Sequence, residues 1–241
     1  METGLYVALS GQLAMERRMA SIANNVANAG TIGYRAEGIH FEQMLSAVSP
    51  IPTAFSSTGE THAVESAGGL VRTGNSLDVA IQGQGYMAIQ SPAGTVYTRD
   101  GRMQLLEGGE LATLAGHSVL DAGGAPIVLN PAAGGVEISR DGMLSQGGKQ
   151  VAAVGLFSID LTMPYRRYEN SGFMPARPGS PVLSFASDGF VQGFVEEANT
   201  NPILEMTNLI RVTRAFESLA SGVEDTTSSL KNAIQALASR S

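Results

Sequence analysis

The same apolar repeat occurs at both ends of this chain, and no other feature constrains the fold as strongly. In the first 28 residues it runs at alternating spacings of three and four, through Leu5, Ala8, Gln12, Met15, Met19, Ile22 and Val26, with Gln12 as the one polar break. In the last forty residues it returns every seven positions, at Leu209, Phe216, Val223, Leu230 and Leu237. Such spacing places these side chains in one seam along an α-helix, where a second helix can pack. The sequence therefore predicts terminal helices that pair as a coiled coil.

Signals for the ends of helices agree with this prediction. Gly30, after the first repeat, can adopt the left-handed conformation that ends a helix. Pro202, before the second repeat, suits the first position of a helix, with Asn199 or Asn201 as alternative caps. The two seams leave more apolar edge than one two-helix coiled coil can hide, so we expect copies of the chain to stack. The alternative, open at this point, is that both helices pack onto the domain's own core.

The segment between the helices has the character of β-structure. Most of the 29 glycines lie there, and stretches such as SLDVAIQGQGYMAIQ alternate apolar and polar residues. Three Asp-Gly pairs, at 100–101, 141–142 and 188–189, predict β-hairpins. We therefore expect an α+β fold with a central all-β domain. The predicted domains are an N-terminal helix (1–35), an extended connector (36–75), the β-domain (76–198) and a C-terminal helix (199–241).

Few side chains offer chemistry. The net charge is −7, which disfavours nucleic acid as a partner, and the absence of cysteine excludes disulfides and thiolate sites. His40, His62 and His117 show no ligand spacing, and no P-loop, nucleophile elbow or zinc motif occurs. We expect no enzyme activity, catalytic residue, cofactor, metal or small-molecule substrate. The N-terminus lacks a cleavable signal and no apolar run approaches the ~20 residues of a membrane span, so we expect no membrane insertion.

The stretch ASIANNVANAGTIGYR, residues 20–35, places three asparagines near the end of the first helix. A helix end needs only one Asn or Gly, so the further amides indicate another role. Asn24 and Asn28 are four residues apart on the face away from the seam, and Asn25 flanks the seam. An amide forms hydrogen bonds without a charge to desolvate, which suits a contact between subunits. For Asn28, the simpler role of capping the helix is equally open.

Three blocks of the sequence resemble one family, the bacterial flagellar axial proteins of the rod and hook. SIANNVANAGTIGYR is similar to their N-terminal signature. GNSLDVAIQGQGYMAI, followed by YTRDGRMQLLEGGELAT, is similar to the start of their β-domain, and VEEANTNPILEMTNLIRVTRAFESLASGVEDTTSSLKNAI to their C-terminal module. The short chain and its opening GLYVALSGQ resemble the proximal rod subunit most. The distal rod subunit, the close alternative, is usually longer and usually has Phe where this chain has Tyr34.

The resemblance implies a structural subunit of the flagellar basal-body rod. Such proteins are exported by the flagellar type III apparatus and assemble in the periplasmic space, through their terminal helices, into the axial tube that transmits torque. The implied partners are other rod proteins and the export apparatus, with copies of the chain itself as a further candidate. The resemblance also implies these subunit-interface residues: Asn24, Asn25, Asn28, Thr31, Gly33, Leu209, Phe216, Val223, Leu230 and Leu237. The competing hypotheses are a secreted binding module with a coiled-coil stalk and, more remotely, an enzyme with an unfamiliar site.

Overall fold

The computed structural model of the chain describes residues 2–46, 53–57 and 59–238. The chain divides into two compact units. The helical unit comprises Met1–Ala27, Glu37–His62 and Asn201–Ser241, and the β unit comprises Asn28–Ala36 and Ala63–Thr200. Two helices and a large β-rich part confirm the predicted α+β class.

Long helices stand at the two ends of the described residues, with short strands between them. In chain order the elements are α1 (Glu2–Ala27), β1 (Glu37–His40), β2 (Gln43–Ser46), β3 (Thr53–Ser56), β4 (Glu60–Ala63), β5 (Leu70–Arg72), β6 (Val79–Gln82), β7 (Tyr86–Ser91), β8 (Gly94–Thr98), β9 (Met103–Leu105), β10 (Leu111–Thr113), β11 (Ser118–Val119), β12 (Val136–Ile138), β13 (Met143–Gln146), β14 (Lys149–Ala153), β15 (Leu156–Ser158), β16 (Tyr165–Tyr168), β17 (Gly172–Pro175), β18 (Ser180–Pro181), β19 (Gly189–Gln192), β20 (Phe194–Glu196) and α2 (Pro202–Ala238). One turn of 3-10 helix, Pro131–Ala133, precedes β12.

In the helical unit, α1 and α2 contact each other and run in opposite directions. Thr213 Oγ1 donates a hydrogen bond to Met19 Sδ at 3.7 Å. Farther along the pair, Leu219 lies beside Gly11, where an added Cβ would be 3.7 Å from the leucine Cδ1. As the residue number rises on α1 it falls on α2, so the helices are antiparallel. The contact between them is established, and its coiled-coil geometry stays a prediction.

The start of α2 settles which asparagine caps it. Asn201 Oδ1 accepts hydrogen bonds from the backbone N–H groups of Ile203 (3.1 Å) and Leu204 (3.2 Å). These are two of the N–H groups that a helix leaves without an internal partner, and an N-cap side chain satisfies them. Pro202 is the first helical residue, as predicted. Asn199, the other predicted cap, belongs to the β unit and has a different role there.

Short strand pairs occur within the predicted connector. In the helical unit β1 pairs with β4, and β2 pairs antiparallel with β3. β5 pairs antiparallel with β20 in the β unit. An extended backbone needs hydrogen-bond partners, and these pairs supply them. Residues 47–52 and 58 of the predicted connector lie outside the described residues, and the four predicted domain boundaries stay predictions.

The β unit is built around one large antiparallel sheet. Its strands follow the order β16-β17-β8-β7-β11-β10-β9, and β15 pairs with both β7 and β18. Smaller sheets join β12, β13 and β14, and pair β19 with β6. The core between them is apolar and its most buried members come from strands across the whole unit: Val79, Met87, Val96, Leu111, Val119 and Leu144. Pairs of consecutive strands are combined in this unit with pairs between strands far apart in sequence, such as β17 with β8 and β19 with β6.

One of the three Asp-Gly hairpin predictions is confirmed. The pair at 141–142 joins β12 to β13, which are antiparallel neighbours. The predictions at 100–101 and 188–189 are wrong, because the strands on either side of each pair have other neighbours. Gly101 instead accepts a hydrogen bond from Val79 N–H at 2.9 Å, and Gly189 pairs with Gln82. In both cases a distant segment takes the backbone bonds that a hairpin would have used.

Candidate functional site

Two short segments of the β unit lie side by side: one follows α1 in the chain, and the other precedes α2. Gly33 N–H donates to the backbone oxygen of Glu196 at 2.7 Å. Asn199 N–H donates to Tyr34 O at 3.3 Å, and Ala36 N–H donates to Asn199 Oδ1 at 2.7 Å. The stretches of backbone that continue into the two helices are therefore hydrogen-bonded to each other within this unit.

Side chains around these segments form what we call the junction cluster: Arg35, Arg99, Arg167, Glu196 and Asn199. At its centre the Glu196 carboxylate lies between two arginines. Its Oε1 is 2.9 Å from Arg35 Nη1, and its Oε2 is 2.6 Å from Arg99 Nε. These three side chains are only 1 to 2% exposed. Charges removed from water this completely persist in a fold only when each has a partner, so the three groups depend on one another.

Backbone groups complete the environment of the central charges. Arg99 donates to the carbonyl oxygens of Ile81, at 2.8 Å, and of Gly85. Arg35 donates to Ser66 O, and Glu196 Oε1 accepts the Gly68 N–H at 2.8 Å. These bonds draw chain segments that are far apart in sequence to one point.

Burial lowers the pKa of the Arg99 guanidinium, and the neighbouring Glu196 carboxylate opposes that shift. The pKa of an arginine lies so far above neutrality that the side chain remains a cation at physiological pH. Because Arg99 keeps its charge, the compensating carboxylate of Glu196 is required at every such pH.

Arg167 contacts two aromatic rings and the backbone of Arg35 beside these ion pairs. Its guanidinium carbon lies 4.9 Å from the centres of both the Tyr34 and the Phe173 ring, and its Nη2 donates to Arg35 O at 2.5 Å. Cations are attracted to ring faces at this distance. A third aromatic residue, Tyr86, has its ring centre 5.5 Å from the guanidinium carbon of Arg99, and burial raises the pKa of its hydroxyl. The cluster therefore combines ion pairs with packed rings.

The Asn199 side chain does not cap a helix but connects two backbone segments of the β unit by hydrogen bonds. While its Oδ1 accepts the Ala36 N–H, its Nδ2 donates to the carbonyl oxygens of Val64 and Ser66, each at 2.8 Å. One amide thus satisfies three backbone groups from two segments. An amide can do this because it carries donors and an acceptor on one planar group.

Gly33 occupies a place that no other residue fits. Its φ is +70°, a conformation that L-residues avoid. A Cβ there would lie 2.4 Å from Asp100 N and 2.5 Å from Arg99 C. The close approach of these two backbones brings residues 33–35 against the arginine that pairs with Glu196.

The predicted interface asparagines fall into different environments. Asn24 is exposed on α1. Asn25 is buried, and its amide bonds both backbone groups of Glu37 in the helical unit: Oδ1 accepts the N–H at 2.8 Å and Nδ2 donates to the oxygen at 3.0 Å. Asn28 Oδ1 accepts the Thr31 hydroxyl at 3.2 Å, and its backbone oxygen accepts the Thr31 N–H at 3.0 Å. Asn28 therefore closes the turn after α1, in line with the simpler of its two predicted roles.

The predicted residues of the second repeat all lie on α2. Leu209, Phe216 and Val223 are half-buried. The side chains of Leu230 and Leu237 lie outside the described residues. Asn24, Asn25 and this repeat thus belong to the helical unit, whereas Asn28, Thr31 and Gly33 belong to the β unit. The assignment of all ten residues to contacts between subunits stays a prediction.

Two features are absent from the part of the chain that the structure describes. No group of His, Asp and Glu residues there could hold a metal ion. No helix there is both long and apolar enough to cross a membrane.

Comparison with known proteins gives this arrangement a family. Three family models match, in order along the chain: "Flagella basal body rod protein" at residues 5–35, "Flagellar hook protein FlgE/F/G D1 domain" at 80–146, and "Flagellar basal body rod FlgEFG protein C-terminal" at 191–236. The flagellar basal-body rod protein FlgF of Mesorhizobium japonicum is 50% identical over 241 residues, covering 100% of both chains. The chain belongs to the flagellar basal-body rod family.

Other relatives refine this membership. FlgF of Rhizobium meliloti is 45% identical over 98% of each chain. The basal-body rod protein FlgG of Bacillus subtilis is 30% identical over 89% of this chain and 91% of its own length. The chain is thus FlgF-like, which confirms the resemblance to the proximal rod subunit that the sequence indicated.

The junction cluster links all three segments that the rod-family models recognise. Arg35 lies in the first matched segment, Arg99 in the second and Glu196 in the third. The sequence analysis did not identify these residues as a group. The sequence holds one local signal of a buried charge: in FVEE, the charged Glu196 directly follows the apolar strand residues Phe194 and Val195. No local spacing connects it to Arg35 or Arg99.

Proposed function

We propose that this chain is a structural subunit of the bacterial flagellar basal-body rod, of the FlgF type. It is exported by the flagellar type III apparatus, reaches the periplasmic space and joins the axial tube that transmits torque. In this proposal the paired terminal helices form an inner-tube domain as a coiled coil. Its partners are other rod subunits and further copies of the chain. Family membership supports the rod assignment, and the surface of the helices supports the mode of assembly.

The observation that carries the mode of assembly is an apolar stripe on each helix of the helical unit. On α1 the exposed members recur at spacings of three and four: Tyr6, Leu9 and Leu13. On α2 they recur in the same way: Ile203, Met206 and Ile210. Ile203 is 77% exposed and Tyr6 is 59% exposed. Soluble proteins rarely leave a continuous apolar stripe in water, and such stripes are typical of surfaces that other molecules cover.

The junction cluster supports the same proposal in a different way. Torque must pass through each subunit of a rotating tube. The segments leading to both helices are joined by the ion pairs of Glu196 and by the hydrogen bonds of the Asn199 amide. A buried ion pair holds one geometry, because any displacement leaves a charge without a partner. The cluster therefore suits a part that must keep its shape under load.

Complementation tests the assembly surface. In cells lacking the native copy, Ile203→Ser with Ile210→Ser should abolish swimming and halt rod construction, while the purified variant keeps its melting temperature. The matched control is Val128→Ser, because Val128 is an equally apolar, exposed residue of the β unit. Normal swimming of the double variant would contradict assembly through this stripe.

Crosslinking identifies the partners. The chain has no cysteine, so Ser218→Cys, at an exposed position of α2, introduces a unique thiol. A thiol-to-amine crosslinker applied to living cells should attach peptides of rod proteins or of a second copy. An unattached monomer in cells that build flagella would favour the secreted binding module over the rod subunit.

A further inference from the structure

One edge of strand β5 has no partner strand among the described residues. On its other edge β5 pairs with β20. Just beyond β5, Thr73 N–H donates to Gly193 O at 2.9 Å. In an antiparallel pair, positions that bond the partner strand alternate with positions that face away from it. Thr73 and Val71 therefore bond the β20 side, and the N–H and C=O groups of Leu70 and Arg72 point toward the open edge.

The side chains of β5 are exposed beside this open edge. Leu70 is 44% exposed and Val71 is 42% exposed. Arg72 is exposed too, and it forms none of the ion pairs found in the described part of the chain. An open edge is a template for pairing with a strand of another chain, and a charge on the edge excludes strands of like charge. β5 thus combines the capacity to pair with a means of selection.

A cleft of about 450 Å³ opens to solvent beside β5. Arg72 lines it, and Val136 and Phe194 give it an apolar surface. Gln192 Nε2 donates to Ser76 O at 2.7 Å and to Val136 O at 2.8 Å, so two sides of the cleft are held together by hydrogen bonds. Its volume falls in the range of about 300–1,000 Å³ that is usual for ligand pockets. The cleft therefore has room for side chains of a strand bound at the open edge.

The register of β5 fixes which side chain of an added strand would face the cleft. Arg72 lies opposite Phe194 in the β5–β20 pair, so both side chains are on the face that carries the cleft. In an antiparallel strand added at the open edge, the residue opposite Arg72 would lie on this face, and the residue two positions later would lie beside Leu70. A carboxylate suits the first position, and an apolar side chain suits the second. Glu137, also exposed at the cleft, repels a second carboxylate.

We propose that β5 binds an extended peptide strand of another protein, which adds antiparallel at the open edge and carries an acidic residue two positions before an apolar one. The backbone groups of Leu70 and Arg72 supply hydrogen bonds, and the Arg72 guanidinium selects the acidic side chain. This proposal goes beyond the rod function, because it gives the β unit a binding site of its own. Since β5 has only three residues, the contact is weak alone and suits a segment that other contacts already hold nearby.

Peptide titration of the purified full chain tests the proposal. The isotope-labelled chain is titrated with the blocked pentapeptide acetyl-TEVVT-amide and with its lysine analogue acetyl-TKVVT-amide, and amide NMR shifts are recorded. The glutamate peptide should move the amide signals of Leu70 and Arg72, because their N–H groups gain partners. The lysine analogue should bind about fivefold more weakly, because Arg72 attracts the first peptide and repels the second.

Two substitutions separate the charge from the backbone edge. Arg72→Glu should reverse the preference, so that the lysine peptide binds about fivefold more tightly than the glutamate peptide. Leu70→Pro removes an N–H that does not bond β20 and should weaken both peptides about fivefold. Lys149→Glu, a charge reversal at an exposed position of β14, is the matched control and should change neither titration. If Leu70→Pro does not fold, the exchange of preference in Arg72→Glu still decides the result.

Several outcomes of the titration would overturn the proposal. One is a glutamate peptide that leaves the amide signals of residues 70–72 unmoved at millimolar concentration. Another is equal affinity of both peptides for the parent chain and for Arg72→Glu. A third is binding of the sugar chitotriose at Phe194 with no response to either peptide, which would assign the cleft to a carbohydrate. Because the titration uses the purified chain, its failure would leave the rod assignment standing.

Discussion

The β unit and the helical unit bury their apolar side chains to very different extents. In the β unit, residues such as Val79, Met87 and Leu111 are wholly enclosed by their own chain. Among the described residues of the helical unit, the buried apolar side chains are Ala14, Ile22 and Val212. The helices are long, yet several of their large apolar side chains are exposed, such as Tyr6, Ile203 and Met206.

This difference in burial indicates that the two units gain their stability from different contacts. Helices gain most of their stability from packing an apolar face rather than from intrinsic propensity. A closed β core supplies that packing from within the chain, whereas the helices have only each other. We infer that the β unit is complete as a monomer and that the helices are completed by neighbouring subunits.

Amide hydrogen exchange on the monomer offers the largest test of this difference. Amides of β7 and β8 should open only with global unfolding, whose free energy is about 5–15 kcal/mol in ordinary domains. Amides of residues 209–237 should open locally and exchange at least about a hundredfold faster, since each 1.4 kcal/mol is a factor of ten. Assembly should slow exchange in the helices alone. Equal protection of the two regions in the monomer would refute the inference.

Removing the central carboxylate should produce the next largest effect, and only in the β unit. Glu196→Gln leaves Arg35 and Arg99 buried without a counter-charge, and breaking such a pair costs about 3–5 kcal/mol. The melting temperature of the full chain should fall accordingly. The matched control is Glu197→Gln, the same chemical change at the next, exposed residue, which should leave stability unchanged. A stable Glu196→Gln variant would show that the arginines find other partners.

The sequence predicted the helices far better than the cluster, and the reason is physical. The 3–4 repeat and the cap at Asn201 are local signals, so α1 and α2 appear where expected. The hairpin at 141–142 is equally local. Arg35, Arg99 and Glu196 meet only because the sheet topology brings three distant segments together, and no spacing encodes that. Asn25 is an intermediate case. The sequence indicated a special role for its amide, but it did not predict that the amide bonds the backbone of Glu37.

A methyl group at Gly33 should disturb the junction almost as much. Gly33→Ala forces a left-handed backbone on an L-residue and drives its Cβ into the backbone of residues 99–100, so we expect a loss of about 2–3 kcal/mol or more. Gly30→Ala is the control, because nothing lies within 4 Å of a Cβ there and, contrary to the prediction of a left-handed conformation at this residue, its φ is not positive. Chemical denaturation of both variants, followed by circular dichroism, would measure the contrast. Equal midpoints would mean that the chain relaxes around the added methyl group.

Asn24 and Asn25, adjacent on α1, allow the same substitution to be compared at an exposed and at a buried position, with the smallest expected effect on folding. In Asn25→Asp the side chain loses its donor to Glu37 O and places a buried carboxylate 3.0 Å from that oxygen. We expect a loss of about 1–3 kcal/mol, the usual effect of an unsatisfied buried polar group. Asn24→Asp makes the same chemical change one residue earlier at an exposed position, so thermal unfolding of the monomer should change little.

In an assembly assay corrected for stability, we expect the opposite order: Asn24→Asp should lose more incorporation into rods than Asn25→Asp. Asn24 is exposed in the monomer, and a carboxylate placed in a packed contact between subunits must be desolvated. Asn24→Asp should therefore reduce incorporation into rods without a matching loss of stability, whereas Asn25→Asp should reduce it only as far as it unfolds the helical unit. Incorporation per folded molecule, measured for both variants, separates the two effects. If Asn24→Asp assembles normally, the exposed amide has no partner in the rod, and the contact must be carried by the apolar stripe alone.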